Sequence, residues 1–269
     1  MLLKISKLCA SISVFIWLLS NVVMAQNILV SEWQKTEFSA ARAHILSATN
    51  QDIILGVEIN IVENYKTYWQ SPGSTGVPAM VEISGANIMP DGQKILYPHP
   101  QKFINKYGET WGYKDKIVLF IELKRQYTNL NSPMNVIFDY AVCDVICLPE
   151  RAVFNLKLDA GDLQKTMAFL KFGKYFDRLP EPIDFADSAL SSIQYDAANR
   201  LNISLNSAVV GDLFITDNQN RFYQLFSASS SHLVYNILGM KLAKSTANHS
   251  LTIHYFNGQD YLQTQKTLN

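Results

Sequence analysis

The sequence predicts an all-β chain: a larger β-sandwich, a short helix and linker, then a second, smaller β domain. Three observations carry this. Short runs rich in Val, Ile, Phe and Tyr recur along the chain, separated by Gly, Pro, Asn and Asp clusters. Helical periodicity surfaces once, near residue 165. Prolines at 180 and 182 then break the chain before the β texture resumes.

Residues 1–25 read as a secretory leader and stand outside the fold. Lys4 and Lys7 supply a positive start, Leu8 to Val23 an apolar stretch, and Val23-Met24-Ala25 the small residues that precede a cleavage at Gln26. The apolar run is short for an uncleaved anchor, and no later segment approaches the roughly 20 apolar residues of a membrane-spanning helix. An exported protein without stable membrane insertion is expected.

The first domain, 26–160, is built on strand-like segments at 52–62, 79–84, 116–123, 134–142 and 151–158. "DIILGVEINIV" (52–62) is the clearest, with apolar and polar residues alternating. "SPGSTGVP" (71–78) and "MPDG" (89–92) read as turns between strands. Such spacing fits a sandwich or a barrel. Residues 161–176 carry Leu163, Met167, Leu170 and Phe172 near helical spacing behind a possible Asp162 cap, and 161–187 forms a helix and linker. The second domain, 188–269, has β signals at 192–205, 211–226, 232–243 and 250–268. "DNQN" (217–220) and "NGQD" (257–260) are the polar tips that hairpins require.

Charge excludes some partners. The 23 basic and 23 acidic residues cancel, with no basic run, which argues against nucleic acid and anionic membrane surfaces. Catalytic motifs of the G-x-S-x-G, H-E-x-x-H and phosphate-loop kinds are absent. Asp139 and Asp144 read as solvated carboxylates.

The chemistry therefore narrows to "YAVCDVICLPE" (140–150). Of three cysteines, Cys9 lies in the leader, leaving Cys143 and Cys147 in a compartment where disulfides persist. Residues four apart on an extended strand lie about 13 Å apart, whereas a disulfide needs Cα atoms about 4.4–6.8 Å apart. The chain must turn between them, which places the pair on an exposed bend at a sheet end. Closing so short a loop stabilises by only about 2 kcal/mol, and a mature chain of about 244 residues has core enough without it. A redox pair, a structural staple and a metal clip all remain open. The clip lacks ligands, since His44, His99, His232, His249 and His254 are scattered. A thioredoxin site would be C-x-x-C opening a helix. Nothing in the sequence is seen to lower a thiol pKa.

Three stretches carry a resemblance: "YKTYWQSPGSTGVPAMVEISG" (65–85), "YGETWGYKDKIVLFIEL" (107–123) and "FDYAVCDVICLPERAVFNLKL" (138–158). In order, they resemble the periplasmic N-terminal region of DsbD-type thiol:disulfide interchange proteins, in the branch typified by ScsB. The likeness is strong over about residues 30–160 and weaker beyond. It implies an immunoglobulin-like sandwich in which Cys143 and Cys147 accept electrons from a membrane reductase and pass them to periplasmic thioredoxin-like proteins, with no cofactor and no metal. It also implies an aromatic shield over the pair, for which Tyr68, Trp69, Trp111, Tyr113 and Tyr140 are candidates; the alternative is that these are ordinary core or turn residues. Relatives continue into a membrane domain and a thioredoxin-like domain that this sequence does not contain, so a free-standing module supplied by a separate membrane thiol transporter is expected. A β-sandwich binding or assembly module with a purely structural disulfide, and a Cu(I)-stress thiol protein, are the competing readings.

Overall fold

The structure is a computed structural model that describes residues 29–85, 88–125, 133–157, 167–218, 221–238 and 249–268. The leader, the Asp162 cap and residues 239–243 of the second domain's third predicted β segment lie outside them.

The first domain is a sandwich of two sheets. One is five-stranded, in the order β1 (Gln34–Lys35), β2 (Ser39–Ala48), β3 (Asp52–Ile61), β9 (Lys116–Arg125), β6 (Ile88–Leu96). The other runs β11 (Cys147–Lys157), β10 (Pro133–Cys143), β4 (Lys66–Gly73), β8 (Gly108–Lys114), β7 (Gln101–Asn105), with β5 (Met80–Gly85) also on β10. Strand alternation sorts the side chains. On β11, Ala152, Phe154 and Leu156 are buried between the sheets while Arg151, Val153, Asn155 and Lys157 face out. β3 is buried almost throughout because it is central and because helix α1 (Met167–Phe176) covers the outer face of its sheet, with Phe172 against His44 and Phe176 against Phe120.

That cover traps charge. Glu58 is 1% exposed and bonds Arg42 at 2.8 Å, His44 at 3.0 Å and Lys116. Burial alone would raise the Glu58 pKa, but the hydrogen bonds from Lys116, Arg42 and His44 outweigh it and lower it from 4.5 to about 2. Burial lowers His44 from 6.5 to about 4, with the Glu58 hydrogen bond only partly opposing.

The second domain pairs two four-stranded sheets: β12 (Glu181–Pro182), β19 (Tyr261–Leu268), β18 (His249–Phe256), β15 (Val210–Asp217), and β13 (Leu190–Tyr195), β14 (Leu201–Leu205), β17 (His232–Leu238), β16 (Phe222–Ala228). It has its own core around Ile203, Tyr235 and Ile253. Phe214 and Phe222 instead join the first domain's core, edge-on to Trp111 at 4.7 and 5.5 Å, and Phe214 also meets Trp69 at 5.7 Å. His254 stands edge-on to Trp69 at 5.1 Å and bonds Gln70 at 3.2 Å. Burial lowers the His254 pKa from 6.5 to about 3, so this contact is made by a neutral imidazole.

Three local expectations are corrected. "MPDG" does not separate strands; it is an irregular stretch inside β6, where the register jumps from Ile88↔Arg125 to Gln93↔Leu123. β6 is an edge strand, the position where a sheet tolerates proline and a bulge. "DNQN" does not close a hairpin, because β15 pairs with β18 and β16 with β17 in different sheets, whereas "NGQD" does close β18–β19. On α1, Leu170 is 72% exposed, and the buried stripe is Phe172, Tyr175 and Phe176. Leu170 lies about 200° around the helix from Phe172.

Both histidines and Glu58 bind fewer protons folded than unfolded as pH falls. Stability is full above pH 6.5. It falls between 6.5 and about 4 through His44, to about 3 through His254, and between 4.5 and about 2 through Glu58. Urea midpoints measured from pH 7 to pH 4 should drop steadily, and less steeply in His254→Phe. Glu58→Gln should cost about 2 kcal/mol at pH 7, because Arg42 and Lys116 reach solvent when the carboxylate is lost.

Candidate functional site

β10 and β11 form a hairpin whose eleven register pairs run from Pro133↔Lys157 to Cys143↔Cys147. Asp144, Val145 and Ile146 make its tip, with Val145 65% and Ile146 71% exposed. The two cysteines thus close the ladder as directly opposed residues. Their disulfide is formed with Cα atoms 4.2 Å apart, near the separation of a non-hydrogen-bonded cross-strand pair.

The outer edge of β10 is shared. β5 pairs with it from Met134 to Asp139, and β4 reaches it at Lys66↔Cys143. Between them the chain leaves along β8, turns through residues 74–79 and returns. Alternation on β10 sends Tyr140 and Val142 into the sandwich core and Ala141 and Cys143 to the other face, where Tyr68 covers them. Cys143 is 1% exposed, whereas Cys147 is exposed. The exposed bend expected from the sequence is therefore exposed at one cysteine, Cys147, and buried at the other. Tyr68 and the turn behind it border the disulfide, with Tyr68 packed on Cys143. The Tyr68 hydroxyl lies 3.3 Å from Cys147 Sγ and donates to it, since a disulfide sulfur has no proton. The 74–79 turn lies over the Tyr68 ring at Gly76, which has φ +110°; a Cβ there would stand 2.5 Å from the ring. Burial raises the Tyr68 pKa, with a hydrogen bond to Thr75 opposing.

Beside Cys147 a groove of about 450 Å³ runs over Ala141 and Pro149, walled by Val77, Pro78 and Met80. Asp139 and Arg151 also line it and are joined by two hydrogen bonds of 2.7 and 2.8 Å; that partner holds the Asp139 carboxyl below its usual range. The site thus places the exposed Cys147 beside an apolar trough and the buried Cys143 against Tyr68.

Of the five aromatic candidates, Tyr68 touches the disulfide and Tyr140 lines the groove, its hydroxyl 2.7 Å from Ser39 Oγ. Trp69 and Trp111 sit in the interdomain cluster, and Tyr113 donates to Pro98 O at 2.6 Å. Sequence reasoning missed Lys66. It is 7% exposed, donates to Thr110 Oγ1 at 2.6 Å, and lies opposite Cys143 across the ladder. Only the long-range pairing of β4 with β10 reveals it. Among the described residues no cluster of three or more His, Cys, Asp or Glu could hold a metal.

Residues 35–158 match the family model described as thiol:disulfide interchange protein DsbD, N-terminal. This segment is a DsbD N-terminal-type domain. The cysteine hairpin and Tyr68 lie inside the matched span. The N-terminal periplasmic domain of ScsB from Proteus mirabilis shares the fold, with a TM-score of 0.68 over 90% of this chain and 98% of that one at 19% identity. Its coverage takes in the second β domain as well as the DsbD-type domain. The reduced DsbD N-terminal domain of Neisseria meningitidis covers 45% of this chain and 86% of that one at 12% identity, with a TM-score of 0.29, too loose to argue from. No curated protein matches the sequence.

If Tyr68 and its turn cover Cys143, the reduced protein should alkylate at Cys147 first, with Cys143 at least about tenfold slower. Tyr68→Ala should raise the Cys143 rate toward that of Cys147, read by peptide mass spectrometry, and Tyr68→Phe should leave it low.

Proposed function

We propose that this protein is a periplasmic thiol–disulfide interchange module that takes electrons from a membrane thiol reductase and hands them to thioredoxin-like proteins through Cys143 and Cys147. The observation that carries this reading is the asymmetry of a closed disulfide: one sulfur open beside an apolar groove, the other covered. The family match supports the class of chemistry. Export is supported by the leader-like residues 1–25 and by the periplasmic origin of the ScsB domain of like fold. No described helix is long and apolar enough to cross a membrane.

The exchange balances as follows. A thiolate of the reductant attacks Cys147 Sγ, the Cys143–Cys147 bond breaks, and its electron pair leaves on Cys143 Sγ. The reductant's second thiolate then attacks its own sulfur in the mixed disulfide and leaves oxidised, and Cys147 is released as a thiolate. Two electrons now reside in the pair, and the reverse sequence passes them to an oxidised acceptor. In-line attack needs access to one sulfur, which Cys147 provides. The hairpin survives opening, because ten ladder pairs precede the cysteines and the bond itself adds only about 2 kcal/mol.

Equilibration with glutathione or dithiothreitol buffers, quenched by alkylation, tests the proposal. A reduction potential well above about −300 mV is expected of an exchanging pair. A bond that stays oxidised in millimolar dithiothreitol, in protein that remains folded, would identify a structural staple instead.

A further inference from the structure

Lys66 presents a buried ammonium with no task in the sandwich. It is 7% exposed, and its one hydrogen-bond partner among the described residues is a neutral hydroxyl, Thr110 Oγ1. Its ammonium lies 5.0 Å from the Phe103 ring centre and 5.8 Å from that of Tyr68. An ammonium has three protons to donate, and removing it from water without an anion is costly. A chain that needed only packing here would be served better by an apolar residue of similar length.

Its location suggests what the charge is for. Lys66 is the register partner of Cys143, and directly opposed residues on one sheet face carry their Cβ atoms about 4.5–5.5 Å apart. Lys66 and Tyr68 are two apart on β4 and share a face, and Tyr68 is the ring that covers Cys143. The ammonium, on the Thr110 and Phe103 side, and the buried Cys143 thus flank the same Tyr68 ring. Resting on the exchange reading above, we propose that Lys66 is a positioning residue whose ammonium holds the thiolate that leaves on Cys143 when the disulfide opens.

The charge inventory fixes the direction. Lys114, opposite Lys66 on β8, repels it, and Asp144 at the hairpin tip attracts it. Burial and Lys114 together lower the Lys66 pKa, with Asp144 opposing. Asp144, next to Cys143 in the chain, also disfavours a thiolate there. Two cations against one carboxylate leave the neighbourhood positive. In the oxidised state the ammonium hydrogen-bonds no anion among the described residues; on opening, the electron pair on Cys143 Sγ supplies a second negative charge beside Asp144. A lower pKa on the leaving thiol also speeds its departure.

The test uses the full chain with Cys147→Ala, so that Cys143 is the only thiol of the pair, and follows thiolate ultraviolet absorbance against pH. Lys66→Met should raise the Cys143 pKa by about 1 unit or more, and Lys66→Arg should restore most of it. In the two-cysteine protein, Lys66→Met should slow reduction by dithiothreitol about threefold for each unit gained. Circular dichroism checks folding, and Lys66→Gln serves if Lys66→Met is unstable. An unchanged Cys143 titration in either folded variant overturns the proposal, as does Lys66→Arg behaving like Lys66→Met. Titration of the lone thiol needs no exchange partner, so its outcome is separate from whether the pair exchanges at all.

Discussion

The register of the β10–β11 hairpin is the constraint on which the site depends. Side chains alternate with a period of two, so placing Phe138, Tyr140 and Val142 in the core forces Ala141 and Cys143 onto the opposite face. The antiparallel pairing then sets Cys147 across from Cys143. The cysteines meet because the ladder brings them together, and the bond is not needed to hold the strands. A link that the fold does not require is one that chemistry can open and close. A slip of one residue would put both sulfurs into the core and turn the core residues out.

The same alternation on β4 ties the site to the second domain. Tyr68 faces the disulfide, while Trp69, its neighbour in sequence, reaches the opposite face and packs against Phe214 and His254. One strand thus carries a tyrosine against the disulfide on one face and an interdomain anchor on the other. The turn after β4 lies over Tyr68 at Gly76 and shares a cavity with Asp217, Arg221 and Phe222 of the second domain. The second domain thus packs against the strand that carries Tyr68 and faces the following turn across a cavity. The ionic cluster under α1 belongs to the far sheet and bears on stability alone.

Much of this was legible in the sequence, and the misses have physical causes. The strands at 52–62, 116–123 and 134–142 show in their β-branched and apolar residues because they are central. β7 and β8 escaped because their segment, Gln101 to Lys114, mixes Lys, Asn, Gly and aromatic residues without clean alternation. "MPDG" was misread because turn residues also suit an irregular edge strand. The cysteines stood out through an ordered motif, but Tyr68, Trp69, Trp111, Tyr113 and Tyr140 were equally eligible as neighbours of the pair until the faces of their strands were known. Lys66 was invisible. Its meaning depends on pairing with a residue distant in sequence, and no local pattern encodes that contact.

The central claim is that the two sulfurs are unequal, with Cys147 open to exchange and Cys143 covered. Single-cysteine proteins incubated with oxidised glutathione and followed by intact mass test it most directly. The account predicts that Cys143→Ser protein, which retains Cys147, forms the mixed disulfide at least about tenfold faster than Cys147→Ser protein. Equal rates, or a faster adduct on Cys143, would contradict it.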